Sequence, residues 1–304
     1  MRNTSQCPCC DSQIINDLGI VNDYRHFRCP SCSHEFFHAL SKKEVNINKE
    51  LYEQDADYNN DLMISKDYHD LIQWNHLKAF DFIKGNGKID TVLDVGTYNG
   101  FFVRYLRDKG LESYGYDFNG DAIKQGREAY DLNGLIATSL DELKPEQCDC
   151  ITAFEVIEHL EWPRKLVAEL DKYLKNGGYL ILSCPNNAMV WRPPLDYPPH
   201  HLSRYSPTSL ALFVERCGYE VISILEQMSL FDLIRNYAGA FFRDKSSVTL
   251  KGGRFRNLRV ANYLKRVLNK SRLIFYFVFF PFDRLLHFFG FRYISQVIVA
   301  QKIR

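Results

Sequence analysis

A chain of 304 residues has room for one large domain with appendages or two modest ones, and 46% hydrophobic with 25% charged residues is the balance of a globular protein. The formal net charge of +1 excludes a global attraction to polyanions, so any charge argument is local. No basic-then-apolar leader opens the sequence, and its longest strongly apolar run, LIFYFVFFPF at 273–282, is about half the ~20 residues a spanning helix needs, so a cytoplasmic location without a transmembrane helix is expected.

Five of the nine cysteines fall in the first 32 positions. CPCC at 7–10 and CPSC at 29–32 form two Cys-x-x-Cys turns, a spacing that lets Cys7, Cys10, Cys29 and Cys32 close on one tetrahedral Zn²⁺. Cys9 could replace Cys10, and His26, His34 and His38 are near enough to compete; redox-active or free thiols are the other reading. The strand-like run between the knuckles suits a small hairpin, a zinc ribbon over residues 1–40 too short to hold a core without metal. Such a site has no open position for catalysis, so the zinc is structural. Tyr24, Arg25, His26, Phe27 and Arg28 mix basic and aromatic character that could stack on nucleic acid.

Residues 41–87 read as a helical linker, with Leu62, Leu71, Ile72, Leu77, Phe80 and Ile83 at roughly helical spacing. Tyr52, Tyr58 and Trp74 are either packing residues or a lid over a cofactor.

From Lys88 to Cys184 short β-branched runs alternate with amphipathic helices, the pattern of crossover units on a parallel sheet. TVLDV at 91–95 is the first strand. Gly96 and Gly100 permit a sharp turn, and the helix after them presents its N-terminus to a ligand. The next strand ends in Asp117, roughly 20 residues on, where a carboxylate can accept both hydroxyls of a ribose. A dinucleotide enzyme shares that feature, but Gly-Thr-Tyr-Asn-Gly lacks the third glycine that hugs a pyrophosphate.

VLDVGTYNGFF, YGYDFN, CDCITAFEVIEHLEWP, LKNGGYLILSCPN and HHLSRYSPTSLALFVERCGYEVISI, in that order over residues 88–226, resemble the motifs of class I S-adenosylmethionine-dependent methyltransferases, of the kind found in the ubiquinone pathway. QVIVAQK at 296–302 resembles their last strand. The resemblance implies an α/β, Rossmann-like fold: a seven-stranded, mostly parallel sheet flanked by helices, here between a zinc ribbon and a C-terminal helical extension over 227–304. It also implies S-adenosylmethionine as cofactor, with Asp94 orienting the turn, Gly96 and Gly100 allowing backbone approach, Asp117 on the ribose, Phe118 on the adenine and Phe154 at the rim by the sulfonium. Two positions depart from the pattern. Tyr98 stands where a small residue is usual, and its ring is expected to line the methionine end of the pocket. Ser139 stands near where relatives carry an aspartate for the adenine amine.

Methyl transfer from a sulfonium needs an aligned acceptor and, for some acceptors, a base. His159, His200 and His201 are the candidates. Glu155, Glu158 and His159 share a face if helical, and some ubiquinone-pathway O-methyltransferases and small-RNA 2′-O-methyltransferases carry a similar E-x-x-E-H run as metal ligands, the latter with a downstream histidine; Mg²⁺ is the ion this suggests. The alternative is that Glu158 and His159 only orient the loop.

Residues 235–272 are heavily basic and are followed by the aromatic run from Phe275. That suits either a helical cap on the sheet or peripheral contact, through 235–290, with an anionic membrane surface or a lipid-linked acceptor; RNA phosphates are a third reading. The function expected is methyl transfer to a hydroxyl or carbon of a small or carrier-linked acceptor such as a sugar, quinone or polyketide-like compound. The alternatives are a metal-assisted RNA 2′-O-methyltransferase and a non-catalytic nucleic-acid-binding zinc-ribbon protein.

Overall fold

The computed structural model describes residues 6–40, 68–143, 148–189, 192, 196–227, 272–289 and 294–303. Tyr52, Tyr58, Leu62 and nearly all of the basic stretch 235–272 lie outside the described residues. The chain divides into two compact units, one of residues 1–187, 195–226 and 295–304, the other of 188–194 and 227–294.

In the first unit, β1 (Asn16–Val21), β2 (Tyr24–Arg28) and β3 (Glu35–Ala39) form an antiparallel meander after the first cysteine knuckle. A short 3₁₀ turn, Tyr68–Leu71, precedes α1 (Trp74–Gly85). The core then runs β4 (Thr91–Val95), α2 (Phe101–Asp108), β5 (Glu112–Tyr116), α3 (Gly120–Tyr130), β6 (Ile136–Ala137), α4 (Leu140–Leu143), β7 (Cys148–Phe154), α5 (Pro163–Leu170), β8 (Leu174–Pro185), β9 (Ser203–Arg204), α6 (Pro207–Arg216) and β10 (Tyr219–Glu226). In the second unit the described residues include α7 (Arg272–Phe288), after which β11 (Ser295–Lys302) returns to the core.

The core sheet has seven strands in the order β10-β11-β8-β7-β4-β5-β6. β4 through β8 pair in parallel, and β11 inserts antiparallel to both β8 and β10. This is the expected α/β architecture. The strands TVLDV and SQVIVAQK are buried at nearly every position because central strands covered by helices on both faces have no solvated side. Helix starts carry local signals: Asn119 caps α3 through its side chain, and Ser206 and Ser209 cap α6 reciprocally with Pro207 in the first turn.

Helix α1 exists as expected, but its buried face differs. Asn75, His76, Ala79 and Ile83 turn inward while Leu77 is 41% exposed. Two polar residues take core positions because each finds partners there, the Asn75 amide donating to Ser183 Oγ and the His76 ring packing among Phe101, Phe102 and Phe154. Trp74 packs against the hydrophobic core.

Helix α3 crosses the turn after β4 closely enough that a Cβ on Gly126 would lie 1.8 Å from the Asn99 carbonyl oxygen. No other residue fits there.

Candidate functional site

The strand order reverses between β4 and β7, so the chains leaving their carboxyl ends diverge and open a crevice, the usual ligand position in such sheets. The turn after β4 is tied down by its own backbone, with the Gly96 and Thr97 amides both donating to the Tyr116 carbonyl. Gly96 has φ +74°, and a Cβ there would come within 2.4 Å of Val156 Cγ2. The space it leaves is thus filled by the loop after β7 rather than held open. Tyr98, the residue that departs from the expected pattern, is buried with φ +55°, a left-handed conformation costing a non-glycine residue about 1–2 kcal/mol.

Asp117 stabilises that strained turn. Its Oδ2 accepts from the Tyr98 amide at 2.7 Å and its Oδ1 from the Asn119 amide at 2.9 Å. Burial pushes its pKa up while these two amides pull it down. A carboxylate offers about four lone-pair sites, so further donors can still be accepted on each oxygen. Asp94, at the floor of the crevice, accepts from Thr152 Oγ1 at 2.6 Å, joining β4 to β7, and burial raises its pKa from 3.8 to about 7.

The loop after β7 carries Glu155, Val156 and a 3₁₀ turn, Ile157–His159. Glu155 has φ +54°, and this turns its carboxylate to the Ser183 and Ser295 hydroxyls, at 2.9 and 3.3 Å. Glu158, His159 and His201 instead come together, with one possible ligand atom from each within 4.8 Å of the others. Of the expected Glu155, Glu158 and His159, the last two meet His201, one of the two downstream histidines, while Glu155, held by the two serines, still lies against Glu158 and feels the charge of His201. His200 contributes its carbonyl, which contacts His159 Nδ1 at 2.8 Å. A carbonyl only accepts, so Nδ1 carries the proton. Burial, reinforced by His201, lowers the His159 pKa to about 3, which keeps the ring neutral. His201 Nδ1 likewise lies 3.0 Å from Asp196 Oδ1. Glu158 is 1% exposed, and its carboxyl lies against that of Glu155. Burial, then the charge of Glu155, pushes its pKa well above the usual carboxylate range.

The four predicted cysteines also meet, with one possible ligand atom from each within 4.8 Å of the others. Cys7 Sγ lies 3.7 Å from Cys32 Sγ and Cys10 Sγ 3.6 Å from Cys29 Sγ, close to the edge of about 3.8 Å for a tetrahedron with metal–sulfur bonds of about 2.3 Å. The two knuckles turn alike, each closed by a left-handed residue, Asp11 or Ser33, whose amide donates back to the first cysteine's carbonyl. Cys9 is not one of the four that meet; its thiol donates to the Ser209 carbonyl and lies against Cys7 and Cys32. His34 is buried against Phe36 and Tyr205, His26 contacts Glu35, and His38 faces Glu161. In β2 the Tyr24 and Phe27 rings are buried, and Arg25 and Arg28 pair with Asp17 and Glu35, so this strand offers no aromatic stacking face.

A family model described as a methyltransferase domain matches residues 63–224, just over half the chain. The chain belongs to this methyltransferase family. It is 26% identical over 156 residues to a probable S-adenosylmethionine-dependent methyltransferase of Mycolicibacterium smegmatis, covering 49% of this chain and 60% of that one. It is also 26% identical over 130 residues to a ubiquinone biosynthesis O-methyltransferase of Leptothrix cholodnii, covering 40% and 55%. The chain thus spans less than two thirds of the length of these relatives. In fold it is similar to phosphoethanolamine N-methyltransferase 2 of Haemonchus contortus, with a TM-score of 0.52 at 15% identity over 84% of this chain and 60% of that one.

Within this methyltransferase fold the remaining predicted residues spread along the crevice. Phe118 follows Asp117 and is 40% exposed. Phe154 ends β7 with its ring edge-on to Phe102 at 5.2 Å. Gly100, at φ +77°, precedes the first residue of α2. Ser139 serves α4, its hydroxyl accepting from the Asp141 amide. Sequence reasoning missed Asn75, Ser183 and Ser295 around Glu155, and Asp196 and Arg204 behind His201. The polar run DYPPHHLSR at 196–204 was the available signal for the last two.

The Asp94 carboxyl keeps its proton up to about pH 7 in the folded protein but releases it near 3.8 when unfolded, so its contribution to stability is full below about pH 4 and is lost as pH rises through 7. Urea unfolding should therefore show the Asp94→Asn protein losing less stability than wild type between about pH 5 and pH 8, by roughly 1–4 kcal/mol. Parallel pH profiles would refute the assignment.

Proposed function

We propose that this chain is an S-adenosylmethionine-dependent methyltransferase acting on a hydroxyl or carbon of a small or carrier-linked acceptor. The observation that carries the reading is Asp117, a buried carboxylate at the end of β5 pinned by two turn amides at the switch point of a methyltransferase-family sheet. Its remaining lone pairs would receive the two ribose hydroxyls, Phe118 would lie on the adenine, and Phe154 would border the acceptor side. The cofactor supplies an electrophilic methyl on a sulfonium; the chain's own residues orient the acceptor and take its proton. His159, its Nδ1 held by the His200 carbonyl, would orient the acceptor rather than act as a strong base, because burial holds its pKa near 3. The relatives named for ubiquinone biosynthesis favour oxygen as the atom methylated.

The trio also fits a divalent ion. Glu158, His159 and His201 would hold it, and it would lower the pKa of an acceptor hydroxyl. Two imidazoles with one carboxylate suit a divalent transition ion better than Mg²⁺, which prefers oxygen ligands, and Mn²⁺ serves as the paramagnetic probe of that class. The Cys7, Cys10, Cys29 and Cys32 cluster fits a structural Zn²⁺ by its sulfur spacing.

An acceptor presented at an anionic membrane surface is favoured by α7. Val278, Phe280, Phe282, Leu285, Phe288 and Phe289 are all exposed, Arg284 lies over the Phe280 ring, and Lys265, Arg266 and Lys270 precede the helix in sequence. Among the described residues no helix is long and apolar enough to cross a membrane.

Calorimetry with S-adenosylmethionine should show affinity falling at least roughly tenfold in Asp117→Ala, given the strength of hydrogen bonds to a charged acceptor; unchanged affinity would refute the cofactor assignment. Elemental analysis of metal-replete protein is expected to find about one zinc per chain, lost together with thermal stability in Cys29→Ser. Sedimentation with phosphatidylglycerol-containing vesicles should be strong for wild type and weak for Phe280→Asp/Phe288→Asp, whereas equal pelleting of the two proteins rules the membrane reading out.

A further inference from the structure

The four-cysteine module and the crevice share a strand. β3 of the meander pairs antiparallel with β9, Glu35 opposite Arg204 and Phe36 opposite Ser203. One residue further on, the Phe37 amide donates to the Leu202 carbonyl, while the Leu202 amide donates to the Glu158 carbonyl at 2.7 Å. The backbone of the cysteine module is thus one residue removed from Glu158, and Leu202 is the neighbour of His201.

Side chains run in parallel with this connection. The buried Arg204 guanidinium lies between the rings of Phe37 and Tyr197, at 4.9 and 4.6 Å. Its Nη1 is 3.5 Å from Glu35 Oε2, its Nε is 3.2 Å from Asp196 Oδ2, and its Nη2 donates to the Asp196 carbonyl at 2.9 Å. The other Asp196 oxygen, Oδ1, takes His201 Nδ1. Glu35 is fixed in turn by His26 Nε2 at 3.2 Å and paired with Arg28. Two further ties hold the module to the core: Arg164 binds both Asp11 oxygens, and Asn22 donates to the Pro198 carbonyl.

We propose that the cysteine module is a working part of the crevice, with Glu35, Arg204 and Asp196 acting as positioning residues that fix the orientation of His201 toward Glu158 and His159. A carboxylate on Nδ1 determines which imidazole nitrogen faces the trio, and a guanidinium wedged between two rings determines where that carboxylate stands. An isolated surface pair would not serve, because exposed side chains do not hold one geometry. Arg204, Asp196 and His201 are all buried or nearly so, and only Glu35 belongs to the module. The inference rests on the trio being the functional centre, and its ion-dependent part rests on the ion reading above.

The test uses the full chain, Mn²⁺ as probe and two readouts: Mn²⁺ affinity by electron paramagnetic resonance, and nitrogen-15 NMR of the histidine rings, with the His201 signals assigned by their loss in His201→Gln. In Glu35→Gln and Arg204→Met, Mn²⁺ binding is expected to weaken roughly 10- to 100-fold and the His201 ring signals to move, while S-adenosylmethionine affinity stays at the wild-type level; Arg204→Lys should recover part of the loss. Should Arg204→Met fail to fold, Glu35→Gln, at the solvent side of the chain of contacts, carries the measurement. If His201→Gln retains wild-type Mn²⁺ affinity, the ion reading fails and the ring signals alone decide: their movement in Glu35→Gln supports positioning. Unmoved His201 signals in Glu35→Gln overturn the proposal, whatever the Mn²⁺ result.

Discussion

Neighbouring parallel strands β4 and β7 send their chains off in opposite directions, and the crevice that results governs the rest of the molecule. Two loops face each other there, Gly96–Gly100 and Glu155–His159, and both contain residues in left-handed conformations. Such strain persists only where the surroundings over-determine it. On one side Asp117 does so, by accepting the Tyr98 amide; on the other the Ser183 and Ser295 hydroxyls do so, by anchoring Glu155. Asp94 and Thr152 join the two strands beneath. The methyltransferase sheet thus supplies a rigid frame on which the reactive side chains depend.

Polar groups buried in that frame behave differently from those on its surface. Lys78 with Asp81, or Arg104 with Asp108, are helix-surface pairs of a few tenths of a kcal/mol each. Arg204 with Asp196 is buried on both sides, and its desolvation offsets much of its attraction, so its value lies in geometric specificity rather than net stability. Glu158, buried beside the carboxylate of Glu155, is an unfavourable residue for folding alone. Groups of this kind, desolvated and facing perturbed neighbours in a cleft, mark functional sites more often than structural ones.

Much of this was legible in the residues. The β-branched run TVLDV identifies a buried strand, QVIVAQK was legible through its resemblance to the family's last strand, and paired Cys-x-x-Cys turns imply a common centre because their local geometry is nearly self-contained. The turn and Asp117 were readable from spacing. What escaped was set by contacts between distant residues. A helical reading of EVIEH puts Glu155 beside His159, but the positive φ at Glu155 breaks that register, and its carboxylate meets Ser183, Ser295 and Glu158 instead. His200 and His201 are indistinguishable in sequence; only the turn after Tyr197 decides that one gives its carbonyl and the other its ring. Leu77 looked like the inward residue of α1, whereas the hydroxyl of Ser183 and the aromatic rings around His76 reward two polar neighbours instead. Arg204 and Glu35 stand 169 positions apart, and no periodicity connects them.

Strand β9 is only two residues long and owes its existence to a partner from the far N-terminal module. A strand so brief cannot keep its shape alone, so the segment bearing His201 borrows its backbone order from the cysteine meander. The two pieces are therefore not interchangeable beads on a string. Replacing the cysteine module on this frame would have to reproduce one edge, one carboxylate and one aromatic wall in register, so that the edge facing the crevice can change only in concert with it.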